Sequence, residues 1–472
     1  MDQKIEQTAA ASPDIEAAAI VLRDHRERYR ASAVLTESDP NYADPRSCIR
    51  DAVAHAERAA GAEPPALREA LWSALIERKG ATEFDWTCAA FHALESGNFG
   101  AAQTRAGRSL ARGGNDLGAQ AILHQARRGG AADDGFTGQF CDAPFRTIET
   151  APGGDVYFCC PAWLPKPIGN LGDDSAEAIW NSAAARDIRA SIHDGSYRYC
   201  SRSHCPKLSG NSLPETTELT HARMAEIAQS EATALEDMPE RLVLSHDRSC
   251  NLSCPTCRSE LVLARKEEQK RLNALADRVL FPLMGRARRV RLTGSGDPFG
   301  SAHFQYILRR LRDIENPNLK IDLQTNGVLL TPALWERLGL EGRVDQMLVS
   351  ADAATPETYA ELRRGATFDQ LLRALDFIAE LRRDNRIRVF RLDFVVQARN
   401  FREMPAFAKL ARSFGCDGVK FQMVRNWGTF TPEEFSAADI GRHDHPEHGE
   451  FRAVLEDPSL KSPKVEIWGL RL

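Results

Sequence analysis

The chain of 472 residues is 43% hydrophobic and 27% charged, a globular balance that excludes a largely disordered or collagen-like polypeptide. Lys and Arg number 61 against 66 Asp and Glu, a net charge of −5, so nothing marks a dedicated nucleic-acid binder. No apolar run approaches the ~18 residues of a bilayer span, and the opening MDQKIEQ lacks a basic segment followed by an apolar one. The expectation is a cytoplasmic protein of roughly three domains, with no membrane or nucleic-acid partner.

Residues 1–135 are rich in Ala, Arg, Glu and Leu, with helical apolar spacing over 65–78 and 87–111. The stretch 89–110 resembles a tetratricopeptide helix pair, with Gly97, Phe99 and Ala102 in place. This reads as a small helical domain, with docking of a protein partner as its functional reading. Residues 136–215 change character: cysteine, Gly, Pro and aromatics rise, and only 176–193 keeps a long helical pattern. Residues 216–240 read as a helical connector.

From Arg241 the pattern alternates. Short apolar runs at 241–247, 288–295, 319–326, 344–352, 391–397 and 419–425 are separated by helical stretches at 258–281, 301–314, 332–339, 355–382 and 401–413. Strands alternating with helices imply right-handed βαβ units and a parallel sheet. The count suits a partial or full barrel over 241–428, whose chemistry sits at the C-terminal strand ends. Those ends carry polar and Gly residues throughout. Residues 429–472 form a tail with a last strand at 464–470; the histidines of HDHPEH, 443–448, read as solvated surface.

Cysteine usage carries the chemistry. Eight of the 11 cysteines lie between Cys141 and Cys257, and clustered cysteines in a large reduced chain read as metal or redox ligands before disulfides. Cys48, Cys88 and Cys416 stand alone as buried, inert thiols. After the first strand of the alternating region comes RSCNLSCPTCR, with Cys250, Cys254 and Cys257 spaced C-x3-C-x2-C. Soft thiolates suit zinc or iron–sulfur clusters, both of which usually take four ligands. Either Cys200 or Cys205 completes a structural zinc site, or the three hold a [4Fe–4S] cluster whose fourth iron stays open to a small molecule.

In this motif, placed after the first strand of an expected partial (β/α)6 barrel, the sequence resembles the radical S-adenosylmethionine (radical SAM) enzymes. The resemblance implies that Cys250, Cys254 and Cys257 hold a catalytic [4Fe–4S] cluster. It gives Gly294, Ser295, Gly296 and Asp297 the place of the family's Gly-Gly-Glu element at the end of the second strand. There, carbonyls and Asp297 accept from the ammonium of S-adenosylmethionine. Asn326, in a Thr-Asn-Gly turn, lies beside the cofactor. Ser350 and Asp352 match an element near its ribose, and Arg363 faces its carboxylate, where a guanidinium pairs bidentately. Thr256 stands where the family often has an aromatic residue, so contact with adenine there runs through backbone.

The upstream cysteines, within 140–182 and 197–206, resemble a SPASM or shorter twitch domain, with Gly154, Gly169-Asn170-Leu171 and Ile179-Trp180 as family-like details. Cys141, Cys159, Cys200 and Cys205 would supply four thiolates for an auxiliary [4Fe–4S] cluster, or for zinc. On an extended segment Cys160 points away from Cys159. The order is unusual, since such a domain commonly follows the barrel.

The resemblance therefore implies an α/β radical SAM oxidoreductase or maturase. It takes a hydrogen atom from a peptide or protein substrate, with flavodoxin or ferredoxin as electron donor. A carbohydrate or small-molecule dehydrogenase or epimerase is the alternative within enzymes. A non-catalytic Fe–S or zinc adaptor is the alternative outside them. Gln397, Asn400, Gln422, Arg425 and Asn426, at the last strand ends, are candidate substrate contacts.

Overall fold

The computed structural model describes residues 83–113, 136–164, 166–201, 205–426 and 429–469, together with Glu69, Ser73, Ile76, Ile122, Leu123 and Ala126. Cys48, most of 65–78, the Cys88 side chain and Trp427 lie outside the described residues. The chain divides into two units, Met1–Ala131 and Ala132–Leu472.

In the first unit, α1 (Glu83–Glu95) and α2 (Phe99–Gly113) form a helix pair. The expected segment 87–111 breaks at Gly97, whose φ of 77° suits a residue without a Cβ. Ala90, Ala93, Ala102 and Ala106 are fully buried together; small side chains let two helices approach closely.

The second unit is built on one ten-stranded sheet. After α3 (Ala143–Arg146) come β1 (Thr147–Thr150), β2 (Asp155–Tyr157) and β3 (Gly169–Asn170). Helices α4 (Ala176–Trp180), α5 (Ala183–His193), α6 (Pro206–Ser209) and α7 (Ala222–Ser230) follow. Then β4 (Arg241–Leu244), β5 (Arg289–Leu292), β6 (Lys320–Thr325), β7 (Val344–Ser350), β8 (Val389–Val396), β9 (Gly418–Met423) and β10 (Val465–Trp468) alternate with helices. The spatial order is β10-β9-β8-β7-β6-β5-β4-β1-β2-β3. Strands β4 to β10 and β1 are parallel, and β2 and β3 run antiparallel at the edge.

Six parallel strands are where the sequence places them. The expected last strand is β10, paired with β9 at one edge, and β1 pairs with β4 on the other side, between β4 and β2. Residues 136–215 contribute to the same sheet and core: Thr147 to Thr150 register against Arg241 to Leu244, and Ile148 and Trp180 lie in the main core. A four-residue strand, TIET, with one apolar position carries too weak an alternation to be read from sequence.

Three expected helices also differ. The stretch 355–382 divides into α11 (Pro356–Leu362) and α12 (Phe368–Arg383), after α8 (Lys266–Leu275), α9 (Ala302–Arg310) and α10 (Pro332–Leu338). Gly365 adopts φ +99° between α11 and α12, and Thr367 caps α12 in a capping box with Gln370. The stretch 176–193 breaks where Ser182 caps α5. The stretch 258–281 becomes helical only at Lys266. Before it, the Val262 carbonyl accepts from Cys250 N at 2.9 Å and Ala264 N donates to Ser249 Oγ at 2.9 Å, so this backbone serves the cysteine loop. Helices α13 (Met404–Ser413), α14 (Pro432–Ala438) and α15 (His448–Leu455) complete the unit.

Strand parity separates two faces. On β8, Phe390, Leu392, Phe394 and Val396 are buried, while Arg391 and Asp393 face the other way. The matching positions across the sheet are Glu149, Arg291, Gln324, Ser350, Lys420, Gln422 and Trp468 by register. This polar face is the concave one: helix α13 covers the opposite face, with the Phe407 ring 4.8 Å from that of Phe394, and Trp163 in the β2–β3 loop lies 6.5 Å from Trp468 of β10. The tail histidines His445 and His448 bond the Ala437 and Ile440 carbonyls at 3.1 and 3.0 Å. Among the described residues no helix is long and apolar enough to cross a membrane.

Candidate functional site

The loop after β4 gathers Cys250, Cys254 and Cys257 beside Leu252, Val328 and Ala366. Cys250 and Cys254 are buried and Cys257 is half-buried. Thr256 sits in the turn that Cys257 N closes on Cys254 O at 2.9 Å. Each thiol receives its own side-chain donor. Asn326 Nδ2 lies 3.7 Å from Cys250 Sγ, Arg363 Nη1 3.7 Å from Cys254 Sγ, and Arg258 Nη2 3.4 Å from Cys257 Sγ. Leu252 N adds a fourth contact, to Cys250 Sγ at 3.4 Å. Burial pushes the free Cys250 thiol up to about 11 and raises Cys254, so a metal must displace protons to bind here.

The GSGDP loop after β5 packs directly on the cysteine loop. A Cβ on Gly296 would lie 2.4 Å from Asp247 O and 2.8 Å from Ser249 O; one on Gly300 would lie 2.9 Å from Asn251 N. The glycines thus make room for protein backbone. Gly294 N donates to Ser245 Oγ at 3.1 Å, and Ser295 Oγ donates to Ser245 O.

Asp297 is reassigned by its geometry. It is wholly buried, and its carboxylate accepts from Phe299 N at 2.9 Å, Gly300 N at 3.0 Å, Thr325 Oγ1 at 2.8 Å and Asn326 N at 2.8 Å. Burial raises its pKa, and these four donors pull it back down. With four donors in place the carboxylate has no acceptor site left for a ligand ammonium. It ties the β5 rim to the β6 rim and so aims Asn326 at Cys250.

At the β7 end, Ser350 is half-buried on the concave face. Asp352 turns inward with φ 62°, accepts from Val395 N at 2.7 Å, and pairs with Arg363 Nη2 at 2.7 Å. Its carboxylate therefore holds Arg363, in place of the expected ribose contact. Two buried polar atoms in this cluster, Arg363 Nε and the Tyr359 hydroxyl, have no protein partner; Tyr359 lies close to Arg363, Cys254 and Asp352. Unsatisfied buried donors are costly, and their place beside the thiols fits a polar ligand carrying a carboxylate.

Of the candidate substrate contacts, two are corrected. Asn400 Nδ2 bonds the Asp352 and Val395 carbonyls, both at 2.9 Å, and Asn426 closes its own loop on Phe430. Both side chains serve backbone. Buried Gln397 keeps its Nε2 without a partner, and Gln422 faces the concave side.

The second cysteine set converges from β2, α6 and their flanking loops. Burial pushes Cys159 and Cys200 well above the ordinary thiol range, and neighbouring Cys141 and Cys205 add to both shifts. Cys160 faces elsewhere: burial and then Glu149 push it up to about 12, against the opposing charges of Arg425 and Lys420. Two residues missed from sequence stand by this set. Lys207 faces Cys141 and Cys159, and the Tyr197 hydroxyl bonds Gln139 O at 2.9 Å. Arg258 was likewise unremarked, though its place directly after the third cysteine is a readable signal. Among the described residues no group of His, Cys, Asp or Glu converges as a single-ion site; an iron–sulfur cube takes one thiolate at each iron, so its ligands need not meet at one point.

The family profile described as the Radical SAM superfamily matches residues 244–411, and that of an iron–sulfur cluster-binding domain, SPASM, matches 141–206. The AdoMet-dependent heme synthase of Methanosarcina barkeri is 24% identical over 214 residues, which are 45% of this chain and 58% of that protein. The chain thus spans less than two thirds of this curated relative. Among solved structures, Streptococcus suis SuiB bound to precursor peptide SuiA aligns at TM-score 0.34 and 13% identity, covering 62% of this chain and 64% of that one. Native anSMEcpe with bound AdoMet aligns at TM-score 0.30 and 19% identity, covering 39% and 51%. Residues 244–411 thus carry a radical SAM domain and residues 141–206 a SPASM domain, each holding one of the two thiol sets, the domain types of [4Fe–4S] clusters and S-adenosylmethionine.

Proposed function

We propose that this protein is a radical SAM oxidoreductase or maturase acting on a peptide or protein, with a flavodoxin or ferredoxin as electron donor. The observation that carries the reading is the set of three adjoining thiols, each with one side-chain donor, one ligand short of a closed cube. Cys250, Cys254 and Cys257 would hold the catalytic cluster, supplying three thiolates for its four irons. When bound, the reduced cluster and S-adenosylmethionine supply a 5′-deoxyadenosyl radical that takes a hydrogen atom from substrate.

This chain's residues position and exclude water. Gly296 and Gly300 let the cysteine loop lie flat on the β5 rim. Asp297 locks that rim to Asn326. Arg363, held by Asp352, presents its unpartnered Nε to the cofactor carboxylate, and Ser350 lies on the concave side below. Carbonyls of the 294–296 loop take the ammonium. Cys141, Cys159, Cys200 and Cys205 would hold the auxiliary cluster, which would supply an electron-accepting centre near the substrate. The α1/α2 pair docks a protein partner. The match to a heme synthase supports a second reading, a small-molecule substrate on the same concave face.

Anaerobically reconstituted protein, given reductant and S-adenosylmethionine, is expected to form 5′-deoxyadenosine. Changing Cys250, Cys254 and Cys257 together to Ala abolishes it. Undiminished product from the triple variant would sink the assignment.

A further inference from the structure

Arg258 is a buried cation whose partners are two carbonyls and a thiol. Nη1 donates to Arg248 O at 2.6 Å; Nη2 donates to Ser295 O at 2.5 Å and to Cys257 Sγ at 3.4 Å. None of these partners is a carboxylate. The groups its charge faces are the sulfurs of Cys257, Cys250 and Cys254, which become thiolates when they hold metal. Arg363 differs, because Asp352 at 2.7 Å already balances its charge. Arg258 is therefore the uncompensated positive charge of the three-thiol set, in an environment only 5% exposed, where charges interact more strongly than in water.

We propose that Arg258 sets the reduction potential of the catalytic cluster, acting through Cys257. The proposal rests on the reading that Cys250, Cys254 and Cys257 hold that cluster. Reduction adds one negative charge to a thiolate-ligated group. A fixed guanidinium with an N–H aimed at one ligand sulfur stabilises the reduced form more than the oxidised form. Charge and hydrogen bonds at the sulfurs are recognised determinants of such potentials. The same fork pins the cysteine loop to Ser295, so the donor cannot swing away as the charge changes. Arg258 is a positioning residue, since it touches the ligand sulfur and not the substrate.

The test is an EPR-monitored redox titration of the full-length, reconstituted protein. The catalytic signal is identified as the one that changes when S-adenosylmethionine is added. Arg258→Gln, neutral and of similar reach, is expected to keep its iron and shift the midpoint of that signal negative. A tenfold change in the one-electron equilibrium, ~59 mV, is the expected size. Arg258→Lys, which keeps the charge, should stay near wild type, and the second cluster's signal should not move in either variant. A loaded Arg258→Gln with the wild-type midpoint overturns the proposal. If Arg258→Gln fails to load, Arg258→Lys decides: loading with an unshifted midpoint supports the charge role, and a shifted midpoint despite the retained charge refutes it. Failure of both variants to load also refutes it, leaving Arg258 only a pin. Wild type without any S-adenosylmethionine-responsive signal removes the underlying cluster assignment instead.

Discussion

His246 and His303 meet nitrogen to nitrogen, Nε2 to Nε2, at 2.9 Å inside the second unit. His303 Nδ1 bonds Asn273 Oδ1 at 2.8 Å, and His246 Nδ1 bonds Thr150 Oγ1 at 2.8 Å. The amide oxygen only accepts, so His303 donates from Nδ1 and accepts at Nε2. His246 then donates from Nε2 and accepts from Thr150. This relay joins β1, the β4 end and α9, and it requires both rings to be neutral.

A pH dependence follows. Burial lowers the pKa of His246, and the facing His303 lowers it further; burial pushes His303 down to about 4. Unfolded histidines take protons near 6.5, so the unfolded state binds more protons as pH falls from about 6.5 towards 4. Stability is full above that window and declines within it, by up to about 1.4 kcal/mol per pH unit for each ring. Glu149, pushed up to about 7 by burial, acts with the opposite sign, so the comparison is with His303→Gln. Urea midpoints at pH 7.5, 6 and 5 should fall more steeply for wild type than for the variant. Parallel profiles would contradict the neutral relay.

Asp297→Asn should lower global stability by about 2–4 kcal/mol, because an amide cannot accept from four donors and bonds to a charged acceptor contribute ~1.5–3 kcal/mol. Iron content should fall with it, since Asn326 loses its anchor. Denaturant unfolding and iron analysis check this. A variant with wild-type stability and iron, but weakened S-adenosylmethionine binding, would restore Asp297 as a direct ligand contact.

Gly296→Ala should disrupt the cysteine loop, because its Cβ meets two carbonyl oxygens of fixed backbone at 2.4 and 2.8 Å. Overpacking of this kind costs about 1–3 kcal/mol. Gly449, where an added methyl would meet nothing within 4 Å, serves as the control. Gly296→Ala is expected to reconstitute less iron than Gly449→Ala; equal iron in both would show that the loop can move aside.

The auxiliary set gives a stoichiometric prediction. Wild type should bind ~8 irons per chain, four to each cube. Changing Cys141, Cys159, Cys200 and Cys205 to Ala should halve the iron and leave cleavage of S-adenosylmethionine intact. Cys160→Ala should keep nearly all of it, because that thiol faces Glu149, Arg425 and Lys420. Iron near four in wild type with stoichiometric zinc would make the upstream site a zinc knuckle.

The sequence by itself determined the parallel strands β4 to β9 and both sets of thiols. Strand alternation and C-x3-C-x2-C spacing are local patterns, readable wherever the chain later goes. Tertiary structure alone decided that residues 136–215 share the sheet, because TIET becomes a strand only through its register with Arg241 to Leu244. It also decided what the charged and polar rim residues do. Asp297, Asp352, Asn400 and Asn426 look like ligand contacts in a one-dimensional reading, yet each is occupied by protein donors or acceptors. Arg258, unremarked in that reading, is buried against Cys257. A side chain's type is written in the sequence; which lone pairs and protons remain free depends on neighbours that folding brings from tens of residues away.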